Sequence, residues 1–83
     1  MAQFSKRVML SMKDSNRLRR IVYNFISKYC NSITDACDNV FEMNETTFYR
    51  GIGTKADTRR ITLTPAVIRI ANTIIEFEHN RKK

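Results

Sequence analysis

Leu18, Ile21, Val22, Phe25, Ile26 and Tyr29 recur at spacings of three and four, which places all six on one stripe of a helix. The pattern predicts a helix over Asp14 to Cys30, with Asp14 or Ser15 as its N-cap. Arg17, Arg19, Arg20, Asn24 and Lys28 take the polar face. The arginines near its start oppose the helix dipole, and a bound phosphate would relieve that; a solvated polar face shows the same pattern. A helix with an apolar stripe must bury it, so the remaining residues have to supply the cover.

Asn31-Ser32 breaks the helix, and Ser32 can cap a second one. Ile33, Ala36, Cys37 and Val40 then fall at helical spacing, and Phe41 and Met43 lead into a break at Asn44. Phe48 and Ile52 share one face of a third segment, leaving Glu45, Thr46, Thr47, Tyr49 and Arg50 outward. Gly51 to Gly53 is a natural exit, since glycine tolerates left-handed backbone angles. A last helix is expected over residues 64–79, with Thr64 as cap and Pro65 at the first position, where no N–H is needed. Its apolar residues occupy more than one side. The surplus predicts a homodimer contact through Ile68, Ile70, Ile75 and Phe77, the alternative being the cap on a monomer's core.

Two stretches admit β structure. Residues 1–12 read as a helical face (Phe4, Val8, Met12) or as a strand (Val8, Leu10, Met12). Residues 53–64 are polar and basic, then β-like at Ile61 and Leu63, and read as a loop or a small hairpin wing. The expected fold is therefore mainly α: a single domain over residues 1–83, four helices, with a short N-terminal strand or small β wing as an addition.

The segment Ser32 to Ile52 resembles a helix-turn-helix motif. Cys37 takes the place of the small residue in the first helix, Val40 and Met43 flank the turn, and Phe48 anchors the second helix. Phe48 to Lys55, FYRGIGTK, is similar to the matching part of tetracycline-repressor-type regulators. Phe41 and Glu42 stand where the family has its turn glycine, and the turn runs long. The proline-started last helix is similar to small phage regulators of the lambda-repressor and lambdoid-activator type. A second resemblance, carried by Lys6 to Lys13, is to ribbon-helix-helix repressors, where Arg7, Met9, Ser11 and Lys13 would face DNA.

Charge bears on the choice of partner. The net charge is +7, and residues 1–30 carry seven Lys/Arg against one acid. Residues 31–48 carry four acids and no base. Clustered basic charge favours a polyanion, nucleic acid first, while the acidic segment suits a basic protein partner. Cys30 and Cys37 read as small core residues of a cytoplasmic protein, and with the single His79 they assemble no metal site. No catalytic constellation, cofactor motif or apolar run long enough to span a membrane is found.

The helix-turn-helix resemblance implies a phage or mobile-element regulator of transcription that binds double-stranded DNA as a homodimer. Asn44, Glu45, Thr46, Thr47 and Arg50 would meet bases: Arg50 guanine, Asn44 adenine, Glu45 cytosine. Lys55, Arg59 and Arg60 would hold phosphates, with Arg17, Arg19 and Arg20 as alternatives, and Tyr49 would contact a phosphate or a thymine methyl. The rival expectation is an adaptor that binds a host protein through the acidic segment and the apolar last helix.

Overall fold

The computed structural model describes residues 8–81; Phe4, Lys6, Arg7, Lys82 and Lys83 lie outside them. The described residues build four helices: α1 (Met12–Tyr29), α2 (Ile33–Asp35, continuing as a π-helical segment over Ala36–Phe41), α3 (Glu45–Ile52) and α4 (Pro65–Arg81). This is the mainly α architecture expected from the periodicity. Among the described residues no helix is long and apolar enough to cross a membrane.

α1 begins earlier than Asp14. Ser11, not Asp14 or Ser15, is the N-cap, and its hydroxyl accepts from Asp14 N–H at 3.1 Å. Ser15 is fully buried, and its hydroxyl accepts from Ile61 N–H at 2.8 Å. The caps of α2 and α4 are those expected. Ser32 accepts from Asp35 N–H at 3.0 Å, and Thr64 accepts from Val67 N–H at 3.3 Å ahead of Pro65.

Residues 8–10 are not helical. Met9 and Thr62 form an isolated antiparallel bridge, with Leu10 N–H donating to Ile61 C=O and Leu63 N–H to Val8 C=O. Ile61 and Leu63 therefore pair with the segment before α1 and not with a second arm of their own loop, which corrects the hairpin wing. On one edge, the segment before α1 is thus paired within its own chain, through Val8 C=O and Leu10 N–H. Ser11 is spent as a cap, and Lys13 lies inside α1.

The core lies where the four helices meet. It is built from Val22, Phe25 and Ile26 of α1, Ala36, Cys37 and Phe41 of α2, Phe48 and Ile52 of α3, Val67, Ile70 and Ile74 of α4, and Ile61. A row of rings crosses it. Phe77 meets Phe25 edge-on at 5.0 Å, Phe25 lies 6.0 Å from Phe41, and Phe41 stacks on Phe48 at 6.0 Å. One aromatic from each helix thus contacts the next, and such pairs add to the burial of their area. The wider π turn swings Phe41 towards the face of Cys37, so both are fully buried while Val40 stays half-buried.

Two sequence expectations are corrected by this packing. Ile21 sits at the edge of the α1 stripe and is 46% exposed. Ile70 is fully buried and cannot form a dimer surface, while Phe77 packs on Phe25 and Tyr29 and is half-buried. Ile68 and Ile75 do remain on the outside of α4.

α2 ends at Glu42, whose backbone is left-handed (φ 56°, ψ 52°), and Met43 N–H reaches back to Cys37 C=O at 3.0 Å. Glu42 thus holds the conformation that the turn glycine of the resembled motif would supply. At Gly51 a Cβ would stand 2.8 Å from Val67, so glycine is what lets α3 approach α4. Because a Cβ is unfavourable in the left-handed region, Glu42→Gly should stabilise the fold by about 0.5–1 kcal/mol. The exposed Glu42–Arg69 ion pair at 3.3 Å contributes little against this. Urea denaturation checks the sign.

Candidate nucleic-acid interface

α3 is short, and what fixes it comes largely from outside it. At its start Asn44 is the N-cap, its side-chain oxygen accepting from Thr47 N–H at 2.8 Å. Glu45 accepts a short hydrogen bond from the Thr34 hydroxyl of α2. On the inner side Phe48 and Ile52 are fully buried. The outward side carries Thr46 and Arg50, both exposed, flanked by half-buried Thr47 and Tyr49.

The C-terminal end of α3 is held by three side chains. Arg19, 3% exposed, donates from Nε to Ile52 C=O at 2.9 Å. Its Nη1 donates to Asn16 Oδ1 at 3.1 Å and to Asp57 C=O at 3.0 Å, and its Nη2 to Arg59 C=O at 2.7 Å. Arg59 in turn donates from Nη2 to Tyr49 C=O at 2.9 Å and to Arg50 C=O at 3.2 Å, while its Nε pairs with Asp57 at 3.1 Å. The Tyr23 hydroxyl donates to Gly53 C=O at 2.7 Å. A helix end leaves its last carbonyls without intrahelical donors, and cations are favoured there. Arg19, Arg59 and Tyr23 supply those donors.

The titration of the neighbouring groups follows from this geometry. Burial, then the nearby Tyr49, pushes Tyr23 up to about 12, so its hydroxyl keeps the proton it donates. Hydrogen bonds from the Arg59 side chain and backbone hold the Asp57 carboxyl below its usual range. Burial pushes Cys37 up to about 11 and raises Cys30, which keeps both thiols protonated and poorly nucleophilic.

Several expected site residues therefore have structural roles. Asn44 cannot offer both amide groups to adenine without giving up its cap, and Glu45 is tied to Thr34 rather than free for a cytosine. Arg19 is buried and committed to carbonyls. Arg59 spends its guanidinium on α3 and Asp57, and Arg60 donates from Nε to Leu10 C=O at 2.7 Å. Thr46 and Arg50 remain fully outward, and Lys55, Arg17 and Arg20 remain exposed.

The structure brings Arg20 and Lys55 together. They line a cleft of about 370 Å3 between α1 and the loop after α3, with Asn16, Asn24 and Thr58 and with Arg19 beneath. Arg17 does not line it. The arginines of α1 thus divide into a buried carbonyl ligand (Arg19), a cation at the cleft (Arg20) and a cation elsewhere on the helix (Arg17). Sequence reasoning misses the role of Arg19 when charge is weighed before spacing. Ser15, Arg19, Val22 and Ile26 lie four, three and four apart, which places Arg19 on the inward stripe. Among the described residues no group of His, Cys, Asp and Glu could hold a metal ion. Comparison with protein-family models, curated proteins and solved structures returns no match.

Arg19→Ala should cost about 3–5 kcal/mol, since it strips buried carbonyls of their donors, and Arg19→Lys should recover little because lysine lacks the planar fork. Asn44→Ala should cost about 1 kcal/mol because the cap is removed. Thr46→Ala and Arg50→Ala should leave stability within about 0.5 kcal/mol. Urea unfolding of the series, followed by circular dichroism, ranks the four positions.

Proposed function

We propose that this chain binds double-stranded DNA through a helix-turn-helix formed by α2, the Glu42–Asn44 turn and α3, and that it regulates transcription. The observation that carries the reading is the mounting of α3. A short helix held at both ends presents Thr46 and Arg50 outward, and the loop that follows it lines a cleft carrying Arg20 and Lys55 together with Asp57. Rigid presentation is what base readout needs, because the reading side chains must meet base edges without first ordering a loop. The net charge of +7 supports a polyanionic partner. A phage or mobile-element setting belongs to the same proposal and rests on the resemblance alone.

In this arrangement Arg50 reads a base, with guanine its best partner, and Thr46 contacts a neighbouring base or thymine methyl. Tyr49, half-buried on the flank, contacts a phosphate. Arg20 and Lys55 hold the backbone beyond the end of α3. Arg59 positions α3 rather than binding phosphate directly. The exposed acids Asp38 on α2 and Glu42 in the turn after it point instead to a basic protein partner, and this favours the adaptor as the second reading.

Selection from a random duplex pool at two salt concentrations separates the two. The DNA reading expects an enriched sequence; weak, unselective binding that disappears at modest salt leaves the adaptor. Arg50→Ala should cost about 1–3 kcal/mol at the enriched site and relax one position in it. Lys55→Ala should weaken all sequences alike and lower the salt slope by roughly 0.9 for each phosphate that it no longer neutralises. An unchanged site preference in Arg50→Ala contradicts the reading of α3.

A further inference from the structure

α1 and α4 run in the same direction. Both leave the Met9–Thr62 bridge, and their C-terminal halves meet where Phe77 lies 5.0 Å from Phe25 and 4.8 Å from Tyr29, with Arg81 over the Tyr29 ring at 4.9 Å. On their outer side a groove of about 250 Å3 opens between them, lined by Ile21, Phe25 and Lys28 of α1 and Glu78 of α4. Ile75 lies one helical turn before Glu78 and is 65% exposed, and Ile21 is 46% exposed. The groove thus carries Ile21 and Lys28 on its α1 wall and Glu78 on its α4 wall, charges of opposite sign, with exposed Ile75 one turn along α4 from Glu78. Among the described residues no ion pair joins Lys28 to Glu78 or to any other acid.

We propose that this face docks a second copy of the chain about a two-fold axis running along the groove. Such an axis lays α1 of one protomer over α4 of the other. Ile21 then meets the partner's Ile75 and Lys28 meets the partner's Glu78, and each meeting occurs twice. An isologous interface requires a surface that complements itself, and opposite charges on two parallel walls do so only across such an axis. A partner of one sign would leave either Lys28 or Glu78 facing a like charge. The surface replaces the one expected from sequence: Ile75 remains in it, Ile21 joins it, and Ile70 belongs to the core, with Phe77 packed against it. It lies on α1 and α4, not on the Thr46 and Arg50 side of α3, and it does not depend on the DNA reading, because it is tested without DNA.

The test is sedimentation equilibrium of the full chain over a concentration series, with circular dichroism to confirm that each variant is folded. The parent chain should pass from monomer to dimer. Ile75→Asp, at an exposed position, should weaken association by roughly thirtyfold or more, as for a central interface residue. Lys28→Glu and Glu78→Lys should each weaken it, and the double variant should restore it, since exchanging both signs keeps every cross-axis pair. A monomer at all concentrations overturns the proposal. So does a dimer indifferent to Ile75→Asp, or a double variant no better than either single one.

Discussion

The fold hangs on a buried arginine. Arg19 is placed on the inward stripe of α1, and its planar fork reaches three carbonyls that no helix or sheet could satisfy: Ile52 at the end of α3, and Asp57 and Arg59 in the loop beyond it. A buried charge without partners is costly, and an irregular loop without donors is costly as well. Each resolves the other here. The loop needs no sheet of its own, α3 can end where it does, and the path to α4 is set. Arg59, itself held by Asp57, extends the network to the carbonyls of Tyr49 and Arg50.

Apolar packing supplies the rest of the rigidity. The ring row from Phe77 to Phe48 joins the helices in the order α4, α1, α2, α3, which differs from their order in the chain. The π turn and left-handed Glu42 are local compromises that this row requires. The wider turn brings Phe41 between Phe25 and Phe48, and Glu42 then reverses the chain within reach of Asn44. Both ends of α3 are thus fixed by contacts within the chain.

This arrangement divides the basic residues in two. Arg19, Arg59 and Arg60 donate to backbone carbonyls, whereas Arg50, Lys55 and Arg20 face outward. Counting charge overstates the cations available to a polyanion, because a buried arginine such as Arg19 keeps its charge but has spent its directional donors on carbonyls. Lys55, a point charge on a flexible stem, is among the cations that remain exposed.

The helices are legible from periodicity and end chemistry. The α1 stripe, Ser32, Asn44, Gly53 and Thr64-Pro65 act within a few residues of themselves, so local physics determined where three of the four helices begin and where α3 ends. Even there Asn44 reads as a base contact, because a cap and a recognition residue are the same side chain until its hydrogen bond is known. Tertiary structure alone decided the remainder. Which isoleucines of α4 are covered depends on where α1 lies, so Ile70 and Ile75 could not be told apart by hydrophobicity. Ile61 pairs with Leu10, and Arg19 bonds to Ile52, Asp57 and Arg59, through contacts between residues far apart in the chain. Such contacts exist only once the helices have packed, since spacing records which face a residue occupies and not what lies opposite it.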